Sequence, residues 1–381
     1  MTGPLTGLKV VELAGLGPGP FAAMMLADMG ADVIKVDRAS AARGGNPDAP
    51  PADVLSRGRD SIGVDLKHPD GVETILTLVD SADVLLEGFR PGVCERLGVG
   101  PDVCLERNPQ LVYGRMTGWG QHGPMAETAG HDINYVALSG TLSMIGRAGE
   151  PPVPPMNLVA DFGGGGMLLA FGVLAALFER SSSGQGQVVD AAMVDGSALL
   201  ASMMYGLKAM GIWGGGRGGN MLDTGAHFYE VYETSDGKYL SVGGIEPQFY
   251  AELIEGLGFE EADLPPQNDA ARWPEAKAIF AQRIATKTRQ EWEDIFEGTD
   301  ACVAPVLEPE EAAAFPHNQE RQTFVEVAGV TQPAPAPRFS RTAPSIPGPS
   351  SHLGQDTTSA LSRWGFAADR IDALRESGAI A

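Results

Sequence analysis

Basic residues are few in this sequence. Its 27 Lys and Arg stand against 49 Asp and Glu, which gives a formal net charge of −22 at pH 7. A protein that binds nucleic acid needs a basic surface that neutralises phosphates, so this balance excludes general nucleic-acid binding. It is still compatible with a small anionic ligand, because a local cluster of Arg side chains can hold one on an acidic protein.

Cysteine is scarcer still. The chain has three, Cys94, Cys104 and Cys302, an odd number with no Cys-x-x-Cys pair. This pattern predicts neither a disulfide framework nor a zinc site. We therefore expect no metal and a reducing, cytoplasmic setting.

Long apolar runs are also missing. The longest, residues 167–178, is too short to cross a bilayer as a helix. No basic stretch precedes the apolar residues 8–13, and the last four residues form no targeting tag. We expect no signal peptide and no membrane partner.

The first part of the chain alternates strand and helix patterns, and hydrophobic residues are 43% of the whole, enough for a sizeable core. Strands are predicted at residues 8–13, 31–36, 61–66, 82–87 and 111–116, and helices at residues 20–30, 70–78 and 93–97. This alternation predicts a parallel sheet with helices on both faces. Two longer helices are predicted at residues 167–179 and 191–210.

The pattern changes near residue 228. Two alternating runs, residues 228–233 and 238–242, flank the turn Ser235-Asp236-Gly237 and predict a β-hairpin. Amphipathic helices are predicted at residues 247–256, 274–285 and 290–296, and two more at residues 357–364 and 367–376. We predict a large α/β domain over residues 1–222, a small α+β domain over residues 223–332, and a Pro-rich linker with returning helices over residues 333–381.

The turn after the first strand has some features of a dinucleotide-binding loop. Gly15, Gly17 and Gly19 lead into a helix, and Asp37 ends the next strand. Their spacing differs from the Gly-x-Gly-x-x-Gly pattern, and the prolines beside them lack the N–H groups that a pyrophosphate needs. We favour a tight βα turn over a dinucleotide site.

Three segments carry candidate catalytic groups. His131, Asp161 and Glu246 each lie at or near the predicted start of a helix. Unpaired N–H groups there favour negative charge and disfavour a second proton on histidine, so such a histidine can act as a base. Taken singly, Asp161 could be only an N-cap, Glu246 only a first-turn acid, and His131 only a cap or a satisfied buried group.

Several longer runs resemble the family III coenzyme A transferases. They are GLKVVEL at residues 7–13, ADMGADVIKVD at 27–37, DLK at 65–67, NLVAD at 157–161 and GQGQVVD at 184–190. Within that family, GHD at 130–132 and IEPQ at 245–248 resemble the α-methylacyl-CoA racemase branch. The resemblance implies a large Rossmann-like domain, a smaller α+β domain and an interlocked homodimer.

The resemblance also implies an activity. The racemase branch interconverts (2R)- and (2S)-2-methylacyl-CoA thioesters in lipid and fatty-acid metabolism by 1,1-proton transfer through an enolate. His131, paired with Glu246, and Asp161 would be the two acid/bases, and no cofactor is needed beyond the coenzyme A of the substrate. The alternative is a family III CoA transferase, in which Asp161 is the nucleophile.

The resemblance further implies binding residues. The coenzyme A moiety would contact Arg38, Val64, Asp65, Leu66, Lys67, Gly88, Phe89, Arg90, Arg96, Gly130, Asp132, Ile133, Asn134 and Tyr135. The acyl chain would lie on a methionine surface formed by Met116, Met193, Met203, Met204, Met210 and Met221. For each basic residue the alternative is a solvated surface cation, and for the methionines it is ordinary core packing.

Overall fold

The computed structural model describes residues 2–44 and 52–381. The chain forms two compact units, which we call the sheet unit and the small unit. The sheet unit comprises Met1–Ser139, Met156–Leu200 and Glu320–Ala381, and the small unit comprises Gly140–Pro155 and Ala201–Gln319. The three-part domain division predicted from the sequence stays a prediction.

A six-stranded sheet is the centre of the sheet unit. Its strands are β1 (Lys9–Leu13), β2 (Asp32–Arg38), β3 (Asp60–Val64), β4 (Val84–Glu87), β5 (Val112–Thr117) and β6 (Val188–Ala192). All neighbours are parallel, in the order β3-β2-β1-β4-β5-β6. The predicted parallel sheet is confirmed, and β6 is an additional strand that the patterns did not predict.

Continuous burial marks the inner strands β4 and β5. Every residue of β4 and β5 is buried, as expected when helices cover both faces of a parallel sheet. The helices of this part are α1 (Pro18–Asp28), α2 (Ala39–Arg43), α3 (Pro69–Val79), α4 (Val93–Leu97), α5 (Pro101–Arg107), α6 (Asp132–Leu138), α7 (Leu168–Ser183) and α8 (Met193–Leu200).

The strand order places a crevice beside β1. This strand pairs with β2 on one side and with β4 on the other. The chain leaves β1 toward β2 on one side and leaves β4 toward β5 on the other side. The two loops therefore separate outside the carboxyl ends of β1 and β4. Such a switch point is where open α/β sheets bind ligands.

The helix that carries Asp161 begins earlier than the sequence pattern indicated. A π-helical segment, Leu158–Met167, runs directly into α7, so Asp161 lies inside the first turn and does not cap it. The whole helix, Leu158–Ser183, has 26 residues and contains an 18-residue window with a mean hydropathy of 1.7, so by length and composition it could cross a bilayer. About 39% of its apolar window is buried inside the protein. The absence of a membrane partner stays a prediction.

The small unit contains an antiparallel sheet of β7 (Glu230–Glu233), β8 (Tyr239–Val242) and β9 (Val303–Val306). The predicted hairpin of β7 and β8 is confirmed. The helices here are α9 (Ser202–Ala209), α10 (Pro247–Gly256), α11 (Trp273–Ile284), α12 (Arg289–Phe296), α13 (Pro309–Ala314) and α14 (Pro316–Glu320), the last ending at the unit boundary. The single helix predicted over residues 191–210 is wrong, because residues 191 and 192 belong to β6 and Ala201 separates α8 from α9.

The C-terminal part returns to the sheet unit. A hairpin of β10 (Phe324–Val327) and β11 (Val330–Pro333) is followed by α15 (Thr357–Arg363) and α16 (Ala368–Glu376). Leu361 and Ile371 are buried in the same core as strand residues such as Ile62. This part of the chain therefore covers the sheet beside β3.

Candidate active site

A cavity of about 410 Å³ opens at the carboxyl ends of β1, β4 and β5. Its wall is formed by the turn after β1, the segment after β4 and the segment after β5, together with His131, Tyr135, Asp161 and Met193. The volume is in the range of small-ligand sites. The cavity therefore occupies the crevice that the strand order creates.

His131 immediately precedes α6. Its backbone N–H donates to Asn134 Oδ1 at 3.0 Å, which closes the first turn of that helix, and the residue is exposed. Below it, the ring of Tyr135 packs edge-on against Trp119 with centroids 4.7 Å apart. A Cβ on Gly130 would lie 2.7 Å from the Tyr135 ring, so the ring supports the backbone that presents the imidazole.

Asp161 is half-buried, and its side chain has close polar contacts. Asn157 Nδ2 donates to Asp161 Oδ2 at 3.2 Å, from the position that immediately precedes the helix. A Cβ at Gly17 would lie 3.3 Å from Oδ2, and Gly17 has φ 70°, where side chains are strained. Glycine at this turn thus lets the βα loop lie against the carboxylate.

Burial raises the pKa of the Asp161 carboxyl above its ordinary value. The hydrogen bond from Asn157 lowers the pKa, the negative charge of Asp132 raises it, and the neighbouring His131 lowers it. Burial outweighs the donor, so Asp161 is a stronger base than a solvated aspartate.

The two segments that carry these groups are joined by Asp132. Its Oδ2 accepts from the backbone N–H of Ala160 at 2.7 Å and from that of Asp161 at 2.8 Å. His131 and Asp161 therefore line one cavity from two elements held together by a buried carboxylate. A base and an acid facing one cavity is the arrangement that proton removal and return require.

The segment after β4 is positioned by buried charges. Glu87 Oε2 accepts from the backbone N–H of Phe89 at 2.7 Å, and Arg115 Nε donates to Glu87 Oε1 at 2.9 Å. Burial raises the pKa of Glu87, and the contacts with Phe89 and Arg115 lower it. This network fixes the course of Gly88 and Arg90 along the cavity wall.

The structure brings together some of the binding residues predicted from the sequence. Those that line the cavity are Gly88, Phe89, Arg90, Met116, Gly130, Tyr135 and Met193. Those of the sheet unit that lie outside its wall are Arg38, Val64, Asp65, Leu66, Lys67, Arg96, Asp132, Ile133 and Asn134. Arg38, Lys67 and Arg96 are exposed, so their side chains are free to meet an anionic group.

The remaining predicted residues belong to the small unit. Glu246 directly precedes α10 and is exposed. Met203 and Met210 are 59% and 66% exposed, while Met221 packs against the core of that unit. The pairing of Glu246 with His131 stays a prediction, as does the methionine surface.

Sequence patterns missed several residues at this site. Asn157 lies four residues before Asp161, a spacing that brings side chains together on a helix, and this signal was available. Trp119 lines the cavity and carried no local signal. Glu87 and Arg115 come from neighbouring strands, and only their pairing in the sheet brings them into contact.

Comparisons with known proteins agree with this architecture. CoA-transferase family III matches residues 5–357. The mouse alpha-methylacyl-CoA racemase is 50% identical over 372 residues, covering 96% of this chain and 95% of its own length. The human enzyme of the same name is 48% identical, with 96% and 95% covered. Human succinyl-CoA:glutarate CoA-transferase is 30% identical, with 94% and 85% covered.

Solved structures agree as well. The crystal structure of a CaiB/BaiF family protein from Brucella suis matches with a TM-score of 0.82 and 25% identity, covering 96% of this chain and 100% of that one. The six-stranded parallel sheet and the crevice at its carboxyl edge are thus found in a chain whose sequence matches a single family along nearly its whole length. This protein belongs to CoA-transferase family III.

Proposed function

We propose that this protein interconverts the (2R) and (2S) forms of 2-methylacyl-CoA thioesters. The identity of about 50% to the mouse racemase, extending over 96% of the chain, carries this proposal. The cavity adds a physical argument, since His131 and Asp161 both line it.

The reaction moves one proton at the carbon next to the thioester carbonyl. One group takes the proton from one face, the C–H electron pair passes into the carbonyl to form an enolate, and the second group returns a proton to the opposite face. His131 and Asp161 are the two groups, and they exchange roles with the direction of the reaction. The raised pKa of Asp161 suits it to accept a proton from carbon.

The enolate oxygen needs hydrogen-bond donors. The first two backbone N–H groups of α6, those of Asp132 and Ile133, have no partner within the helix and lie beside His131. We assign them to the developing negative charge, because donors fixed in advance stabilise a transition state without reorganisation.

The coenzyme A phosphates would be bound by the cations of the sheet unit. Arg90 lies on the cavity wall, and Arg38, Lys67 and Arg96 are exposed elsewhere in the same unit. A guanidinium group can donate two parallel hydrogen bonds to the oxygens of one phosphate, which suits the arginines to this role. The acyl chain would contact Met116 and Met193 in the cavity and the methionines of the small unit.

A homodimer is the form that we propose for the active protein, with its chains interlocked. Met167, Phe171, Leu174 and Phe178 follow one side of the Asp161 helix and are 52%, 70%, 40% and 80% exposed. Their spacing of four, three and four residues makes a continuous apolar stripe, which supports burial against another chain. We propose that Glu246 pairs with His131, supplied by the second copy of the chain.

We further propose a cytoplasmic location, no partner among nucleic acids or membranes, and no metal or additional cofactor.

A second candidate function is coenzyme A transfer. The 30% identity to succinyl-CoA:glutarate CoA-transferase favours it, with Asp161 as the nucleophile. Attack of the Asp161 carboxylate on the acyl carbon would expel the coenzyme A thiolate and leave an acyl anhydride. Such an intermediate reacts with hydroxylamine and requires an acceptor acid for turnover.

One incubation separates the two functions. An enantiopure 2-methylacyl-CoA is placed in deuterated water with the protein and no acceptor acid, and the product is examined by chiral chromatography and mass spectrometry. Racemisation gives both enantiomers with one deuterium at the α-carbon. A product that stays enantiopure and unlabelled, together with hydroxylamine trapping on Asp161, contradicts the racemase and supports the transferase.

Variants test the assigned residues. His131→Ala and Asp161→Asn should each lower α-proton exchange by at least about 100-fold, since each removes one partner of the proton transfer. His122→Ala and Asp102→Asn are matched controls, because both residues are exposed and lie outside the cavity wall. Full exchange in either active-site variant contradicts its assigned role.

A further inference from the structure

Asp132 contacts both segments that carry the proposed acid/bases. It is the first residue of α6, next to His131, and its Oδ2 accepts from the backbone N–H groups of Ala160 and Asp161. It is 6% exposed. One carboxylate oxygen thus links the start of α6, which carries His131, directly to the turn that carries Asp161.

This carboxylate has fewer partners than its charge calls for. Its Oδ1 is buried without a hydrogen-bond partner, and within residues 2–44 and 52–381 it forms no ion pair. A buried anion with two neutral donors and no cation is costly, whereas an asparagine oxygen could accept the same two N–H groups at lower cost. Acceptance of the two N–H groups therefore does not by itself explain why this position carries a negative charge.

We propose that Asp132 is a positioning residue for the racemisation described above: its carboxylate ties the turn of Asp161 to the helix start of His131 and so fixes the separation of the two groups. The inference rests on the proposed roles of those two residues. Positioning of reacting groups is sensitive to shifts of about 1 Å, which cost about 100-fold in rate.

The charge of Asp132 has a second effect, on Asp161. It opposes ionisation of the neighbouring carboxyl and thereby raises its pKa, in the same direction as burial. Removing the charge and keeping the hydrogen bonds should therefore lower the pKa of Asp161. The rate in the direction where Asp161 accepts the proton falls as pH drops through that pKa, so this acid limb should move to lower pH.

Other titratable groups around Asp161 are retained in such an experiment. The titratable groups on the elements and cavity wall around it are His131 and Tyr135 near the start of α6, Asp195 on α8, Asp190 on β6, Arg90 after β4, and Glu12 and Glu87 at the strand ends. Among them Tyr135 also responds to the charge of Asp132, which raises the pKa of its hydroxyl. That hydroxyl titrates on the alkaline side, so a shift of the acid limb still reports the missing charge beside Asp161.

Two variants separate position from charge. Asp132→Asn retains an oxygen that can accept both N–H groups, and Asp132→Ala removes it. We expect Asp132→Ala to lower kcat for α-proton exchange at least tenfold with KM changed less than threefold. We expect Asp132→Asn to recover most of that loss at pH 8 and to show the acid limb at lower pH for one of the two enantiomers.

Circular dichroism and thermal unfolding accompany the kinetics. If Asp132→Ala does not fold, Asp132→Asn alone decides: an acid limb unmoved for both enantiomers overturns the inference. Exchange by Asp132→Ala within twofold of the unsubstituted protein also overturns it. His131→Ala and Asp161→Asn are measured in parallel, because full exchange in those variants refutes the assigned roles on which the inference rests. Absence of exchange in the unsubstituted protein would refute the proposed function itself.

Discussion

Gly164 offers the sharpest test of how the fold positions Asp161. This glycine lies one turn after Asp161 in the π-helical segment, where the backbone of α8 passes directly against it. A Cβ at residue 164 would lie 2.7 Å from the carbonyl carbon of Gly196 and 2.7 Å from the backbone nitrogen of Ser197. Both neighbours are backbone atoms of a helix and cannot rotate away.

The size of the effect follows from those distances. Ordinary van der Waals contact for a Cβ begins near 3.4 Å, so Gly164→Ala requires the two helices to separate by roughly 0.7 Å. Overpacking of this kind costs about 1–3 kcal/mol of stability. The movement displaces Asp161 by a similar distance relative to His131, and a shift approaching 1 Å lowers the rate by about 10- to 100-fold.

The measurements are α-proton exchange in deuterated water and thermal unfolding. Gly206→Ala is the matched control, because Gly206 also lies within a helix and a Cβ there meets nothing within 4 Å. That variant should keep its activity and gain about 0.5–1 kcal/mol from helix propensity. If Gly164→Ala has the unfolding midpoint and exchange rate of the unsubstituted protein, the close helix crossing does not set the position of Asp161.

Three further predictions follow from particular contacts. Burial lowers the pKa of His227 to about 4, while an unfolded histidine has a pKa of about 6.5. As pH falls, the unfolded state binds this proton first, so about 3 kcal/mol of stability is lost between the two pKa values. Urea titrations at pH 7 and pH 4 should show this loss in the unsubstituted protein and not in His227→Gln. Arg57 Nε donates to Asp28 Oδ1 at 3.0 Å, and both residues are buried, so Arg57→Met should lower the free energy of unfolding by about 3–5 kcal/mol. The hydrogen bond from Asn157 lowers the pKa of Asp161, so Asn157→Ala should move the acid limb of exchange to higher pH, opposite to the shift expected for Asp132→Asn.

Each of these has a contradicting result. An unchanged pH dependence of stability in His227→Gln shows that this imidazole does not titrate differently on folding. The double variant Asp28→Asn with Arg57→Met should be more stable than Arg57→Met alone, because it no longer buries an unpaired charge. If both are equally stable, the pair is not the cause of the loss. An acid limb that moves to lower pH in Asn157→Ala contradicts the assigned hydrogen bond.

The strands show which elements local sequence patterns predict and which they do not. The five strands predicted in the first part are confirmed with ends shifted by one or two residues, because each has buried apolar residues at its centre. β6 was missed: its first residues, Val188 to Asp190, are not buried, so apolar continuity gave no signal. β9 was missed as well, since Pro305 interrupts its sequence and only pairing with β8 defines it.

The site residues likewise divide into those that local sequence places correctly and those that only tertiary contacts place. His131 at the start of a helix followed from the local sequence, and α6 confirms that position. For Asp161 the glycine tract suggested a helix start that lies too late in the chain. Glycines there serve instead for close packing, as the neighbours of Gly164 and Gly165 show. Local propensity disfavours glycine in a helix, and tertiary contact overrides it.

The sequence by itself determined the elements whose signal is local: buried strands, the hairpin of the small unit, and helix starts with polar groups. It also contained the motifs that resemble a known family. Only the tertiary structure decided that the loops after β1, β4 and β5 surround one cavity, and that the Asp132 carboxylate bonds to the backbone of Asp161. These contacts join residues far apart in the chain, and their formation depends on strand order and helix packing, which no local window of sequence contains.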